Sequence, residues 1–269
     1  MSFIVIPVIH AAKTPTRTPT YHRGVASIIC PIKPYTWWGA PNPQPVKADI
    51  VQQIYSEYLK GCKIDILREA SASYANVISE LRKNPLYVHI ATHGKSEPAL
   101  KLSNAYLTPK DIKSQIRYDA MRSTKLVLLS ACHSLQNYED DNYYRNFGYV
   151  FVKHCGVEYV IGSVGEINTW ALLVFAAIFY KWHFMIGRPI DSAFAKAYAE
   201  TKDVFSQMIA IGVGITVATI VTILTYGWTA PLWDKIVVTI ATTLISAGIA
   251  WWLSDALTHI SNLDIYNIE

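Results

Sequence analysis

His93 and Cys132 are the residues of this chain whose types and surroundings together point to covalent chemistry. A thiol is a poor nucleophile until it loses its proton, so an enzyme that uses one holds an imidazole nearby. The two must meet in the fold and need not be close in sequence. Here the segment LYVHIA opens into Thr92-His93-Gly94, and KLVLLS opens into Ala131-Cys132-His133-Ser134. In such a pair Cys132 attacks a peptide carbonyl and His93 protonates the leaving amine. Backbone N–H groups at Gly94 and Cys132 suit an oxyanion, since glycine lets the chain approach closely. The residues alone also allow a blander reading, in which Cys132 is a packed core residue and His93 is structural. His133 competes as a base by adjacency, but neighbours on an extended chain point in opposite directions, which disfavours it.

For the pair to meet, both segments must be strands of one sheet with their ends on the same edge. The surrounding pattern predicts this. Val25–Ile32 reads as a buried strand, a Pro- and Trp-containing loop covers 33–46, and Ala48–Leu59 has helical periodicity. Strand Lys63–Arg68, helix Ser73–Arg82 and strand Leu86–Ala91 follow, then a hairpin over 98–108 and a helix over 109–122. Strand Lys125–Ser130, helix Phe147–Cys155, strand Glu158–Gly162 and helix Thr169–Phe184 complete the series. Alternating strands and helices imply an α/β fold, a mostly parallel sheet covered on both faces. Chemistry in such sheets lies beyond the carboxyl ends of the strands.

Charge divides the chain. Residues 1–202 hold 23 Lys/Arg and 15 Asp/Glu, a net of +8, whereas residues 203–269 hold one Lys and five acids. No charged residue occurs from Val204 to Trp233 or from Ile236 to Leu253, and runs of this length are expected to form transmembrane helices. Trp228 and Trp233 at one end, and Trp251 and Trp252 near the other, suit the membrane interfaces. The predicted organisation is a strand and connection over 1–24, a globular domain over 25–203, spans near 204–227 and 236–253, and a tail over 254–269. Met1–His10 is apolar but lacks a basic start and contains Pro7, so it reads as a strand rather than a signal peptide. Lys196 and Lys202 precede the first span and Lys235 alone lies between the spans, so the positive-inside bias places the globular part in the cytoplasm. Cys30, Cys62, Cys132 and Cys155 show no metal-ligand spacing, so neither a zinc site nor any other metal or cofactor is expected.

These residues carry a resemblance. YVHIATHG (87–94) followed by LVLLSACHS (126–134) is similar to the CHAT branch of the caspase-like cysteine proteases. LKLSNAYLTPKDI (100–112) resembles that family's hairpin and helix, and GVEYVIGSVGEIN (156–168) resembles its next core strand and loop. Phe179-Tyr180, Gly187 and Ala193 resemble the helical region that follows, so the likeness spans roughly 25–200. The CHS triplet is also similar to metacaspases. The resemblance implies a caspase-like fold, peptide-bond cleavage, His93 as acid/base, Cys132 as nucleophile and Gly94 as an oxyanion donor. It also implies a role in defence or regulated cell death. The chain departs from the family in lacking a long helical-repeat region and in carrying the apolar hairpin.

Specificity would come from the loops. Glu139, Asp140 and Asp141 follow the nucleophile, and Glu166 follows strand 158–162; a carboxylate at a pocket floor would select Arg or Lys, although the 139–141 run reads better as a solvated acidic loop. Trp37 and Trp38 could line the same cleft. A protein substrate and the lipid bilayer are the expected partners, with a homo-oligomer or an activating partner as further possibilities. No phosphate-binding loop is present, and the scattered basic residues fit anionic headgroups better than nucleic acid. Two competing functions remain: a silent caspase-like scaffold, and an effector that permeabilises membranes through the hairpin. Gly212, Gly214, Thr216 and Ala218 supply small residues for helix association in the latter.

Overall fold

The computed structural model describes residues 24–33, 43–137, 146–211 and 259–267. Among these, six strands form one sheet in the order β2-β1-β3-β7-β8-β9. β1 (Gly24–Cys30), β2 (Cys62–Arg68), β3 (Tyr87–Ala91), β7 (Leu126–Ser130) and β8 (Tyr159–Ser163) run parallel. β9 (Leu263–Asn267) closes the sheet antiparallel to β8. The predicted mostly parallel α/β sheet is therefore the observed one.

Alternation along the strands feeds two cores. Ile28 and Leu128 face one layer, made by α1 (Pro43–Tyr58), α5 (Thr169–Tyr180) and α6 (Ile190–Ile211). Ile29 and Leu129 face the other, made by α2 (Tyr74–Leu81), α3 (Pro109–Gln115) and α4 (Phe147–Tyr149), which continues as a π-turn over Val150–His154. α5 is buried along nearly its whole length, and Asn168 caps it by accepting from the N–H groups of Trp170 and Ala171. Its apolar residues thus belong to the domain core. Each fully buried large side chain there stabilises the fold by roughly 1.5–3 kcal/mol.

Three local differences from the sequence reading have physical causes. α1 starts at Pro43, within the predicted Pro-rich loop, because Pro43 and Pro45 occupy the first turn, where missing N–H groups cost nothing. α3 ends at Gln115 rather than 122, because Ile116 turns extended and the Asp119 N–H is taken by the His154 carbonyl. The segment read as a tail supplies β9: Leu263 and Ile265 pack on the α5 side and Tyr266 on the α4 side.

The proposed strand in Met1–His10 lies outside the described residues. So do both predicted spans, apart from 204–211, which form the end of α6. Val204 and Phe205 are buried in the domain core, so α6 runs through the boundary drawn at 203/204. Among the described residues no helix is long and apolar enough to cross a membrane.

Candidate active site

β3 and β7 are direct neighbours, in a register that pairs Ala91 with Ser130. The pairing continues past the strand ends, where the Thr92 N–H donates to the Ser130 carbonyl (3.1 Å). His93 and Cys132 each follow two residues beyond a paired position, so the two catalytic-type residues leave the sheet at the same level. A three-stranded antiparallel sheet of β4 (Gly94–Lys95), β5 (Ala99–Lys101) and β6 (Tyr106–Leu107) begins immediately after His93. It fixes that loop: the Lys101 N–H donates to the His93 carbonyl (2.9 Å), and the Thr92 hydroxyl donates to the Lys101 carbonyl. The capping box of Thr108 with Asp111 then starts α3.

Gly94 lies against the loop that carries Cys132. A Cβ built on it would sit 1.7 Å from the Cys132 carbonyl oxygen and 3.2 Å from the Cys132 nitrogen. Only a glycine permits this approach, which is the reason for the His-Gly pair.

Cys132 begins a turn held by the end of β8. The His133 N–H donates to the Gly165 carbonyl (2.8 Å), the Leu135 N–H to the Ser163 carbonyl (2.8 Å), and the Ser163 N–H to the Ser134 hydroxyl (3.0 Å). The half-buried Cys132 Sγ accepts from the Ile167 N–H at 3.5 Å, and its thiol donates to the Ile167 carbonyl at 3.6 Å. All four cysteines are free. Burial pushes the thiols of Cys30, Cys62 and Cys155 up, the last to about 12, which makes them poor nucleophiles.

His93 is exposed at the strand end. Loss of hydration against its neighbours, then the charges of Lys101 and Lys47, hold its imidazole below the usual value. It is therefore neutral at pH 7, the form that can take a proton from a thiol.

His133 departs from expectation. Its φ of 55° places it in the left-handed region, and its Nδ1 is paired with the Gln136 side chain. The chain at Cys132-His133 is a turn rather than extended, so the opposite-direction argument does not apply. Both residues line one open cleft of about 360 Å³, together with Gly94, Ser96, Glu166, Ile167 and His259. Glu166 is exposed on this cleft, so it is a rim carboxylate rather than a buried pocket floor. Glu139, Asp140, Asp141, Trp37 and Trp38 lie outside the described residues.

Beneath the site are residues the sequence reading passed over. Gln44 Nε2 donates to the Thr92 carbonyl (2.9 Å) and reaches the Ser130 carbonyl (3.5 Å), tying together the two strand ends. Its Oε1 accepts from the Lys47 ammonium (3.1 Å), which is fully buried and whose pKa burial lowers to about 7. His89, inside β3, lies 3.2 Å from the Ser130 hydroxyl and 3.0 Å from the Tyr180 hydroxyl. For His89 the available signal was a polar side chain within an otherwise apolar strand.

A family model described as CHAT domain matches residues 33–202. This chain belongs to the CHAT domain family. At family level the CHAT domain places it among the caspase-like cysteine proteases, over nearly the segment that carried the resemblance. Among solved structures, that of the Arg-specific cysteine proteinase gingipain R is similar at 14% identity and a TM-score of 0.48. The similarity covers 66% of this chain and 41% of that one, so this chain spans well under half of it. Among curated proteins none matches this chain.

Proposed function

We propose that this CHAT domain is a cysteine endopeptidase held at a membrane by the apolar segment after α6. One observation carries the enzymatic reading: Gly94, the residue after His93, is packed directly on the peptide of Cys132 at the shared edge of β3 and β7. Neutral His93 accepts the Cys132 proton as the sulfur leaves the Ile167 backbone and attacks the substrate carbonyl. The oxyanion is held by the Gly94 and Cys132 N–H groups. His93 returns the proton to the leaving amine, the C–N bond breaks, and an acyl-enzyme remains. Water, deprotonated by the same imidazole, releases the acid and restores the thiol. His133 is the second reading for the base, favoured by its left-handed turn into the cleft.

Glu166 at the cleft rim supports a preference for a basic residue before the cut, by charge attraction. Peptide-library cleavage by the detergent-purified protein tests both points. Cuts after Arg or Lys that disappear in Cys132→Ala are expected. Equal cleavage by the Cys132→Ala variant rejects the enzyme assignment, and cuts mainly after acidic or apolar residues reject the role of Glu166.

Membrane attachment rests on the charge-free runs at 204–227 and 236–253. α6 and β9 both belong to the folded domain, so a chain that crosses a bilayer between them crosses an even number of times. A two-span hairpin meets that requirement. Lys196 and Lys202 against Lys235 favour a cytoplasmic domain. Protease protection on sealed vesicles, with the domain accessible only from the cytoplasmic side, is the expected result; access only from the other side overturns the topology.

A further inference from the structure

The turn that precedes β9 touches the catalytic loop, and no sequence motif drew attention to it. The Asn262 carbonyl accepts from the Val164 N–H (2.8 Å), and the Asn262 Nδ2 donates to the Glu166 carbonyl (2.6 Å). One residue therefore grips the chain on both sides of Gly165. The fit is close: a Cβ on Gly165 would lie 2.9 Å from Asn262 Nδ2. The amide orientation follows from chemistry, since a backbone carbonyl only accepts. Asn262 N–H donates to the His259 carbonyl (3.1 Å), closing a turn that also sets His259 in the cleft beside Cys132.

The gripped loop is the one that holds the nucleophile. Gly165 accepts from the His133 N–H, and the Ile167 N–H donates to the Cys132 sulfur.

We propose that Asn262 is a positioning residue of the active site, keeping the Val164–Ile167 loop on the Cys132 sulfur. This rests on reading Cys132 as the nucleophile. It makes the His259–Asn262 turn a support of the nucleophile, so any event that pulls that turn from the Val164–Ile167 loop also changes Cys132.

The test is alkylation of Cys132 by iodoacetamide in the full-length protein, followed by mass spectrometry across about pH 6 to 10. Asn262→Asp keeps the shape but sets an acceptor against the Glu166 carbonyl, and Asn262→Ala removes the contact. Both are expected to slow Cys132 alkylation about fivefold at pH 7 and to change its pH profile, because both contacts between Ile167 and the sulfur move with the loop. Asp264→Asn, an exposed position on the same strand, is expected to leave the profile unchanged. A wild-type profile in an Asn262 variant that melts like the wild type overturns the proposal; if the Asp variant fails to fold, the Ala variant decides. Alkylation requires no peptide substrate. A shifted profile in a protein that cleaves nothing would therefore keep the positioning role and remove the protease assignment.

Discussion

His89 and His93 lie four residues apart, one inside β3 and one beyond its end, and the fold treats them in opposite ways. His89 is fully buried, and each ring nitrogen has a hydroxyl neighbour, Ser130 or Tyr180. Burial and the Lys47 charge hold it well below the usual range, so it stays neutral and acts as a fixed strut. His93 is exposed beyond the strand end and is not among the residues lining the Cys132 cleft, but the glycine after it brings the backbone onto Cys132. The cysteines divide the same way. Cys30 is buried at the end of β1, whereas Cys132 sits in a turn with a backbone donor on its sulfur. The lesson is that residue type proposes chemistry, and position relative to the strand end decides whether it can occur.

Substitution at each member of these pairs sharpens the contrast. The largest effect is expected for Cys132→Ala, which lowers peptide cleavage by on the order of 10³-fold or more with the melting temperature unchanged. Cys30→Ala, Cys62→Ala and Cys155→Ala keep the chemical step, which progress curves on one peptide would establish. His93→Ala is expected to cost on the order of 10²- to 10⁴-fold in kcat, and His133→Ala much less. The reverse order in steady-state kinetics would assign the base to His133.

The buried histidine has a stability signature instead. His89 takes a proton only when the chain unfolds, since its folded pKa is depressed. Its stabilising contribution is therefore complete above about pH 6.5 and falls by about 1.4 kcal/mol per pH unit below it. Urea unfolding at pH 7 and pH 5.5 measures this, and His89→Gln is expected to flatten the difference. The smallest effect belongs to the opposite edge of the sheet. There Lys125 and Glu158 form a 2.7 Å ion pair with both side chains about half exposed. Glu158→Gln is expected to cost less than about 1 kcal/mol in the same measurement.

Much of the central sheet was legible because buried parallel strands are short apolar runs, and YVHIA and LVLLS are unambiguous examples. Their chemical ends were legible for the same reason: His93-Gly94 and Cys132 interrupt those runs at one edge. β9 was not, because LDIYN carries Asp264 and Asn267 rather than an apolar run, and its partner β8 lies about a hundred residues earlier, beyond any local pattern. The left-handed turn at His133 was equally hidden, since nothing in ACHS demands a positive φ. Gln44 and Asn262 act by gripping backbone carbonyls, with Lys47 holding the Gln44 side chain, and a side chain's backbone partner in another element leaves no spacing to read.

The most direct test of the central claim is labelling of the full-length protein with a tagged peptide electrophile, followed by mapping of the modified residue. The account predicts a single adduct on Cys132, formed much more slowly in His93→Ala and absent in Cys132→Ala. Labelling spread over Cys30, Cys62 or Cys155, or labelling of Cys132 at an undiminished rate in His93→Ala, would contradict it.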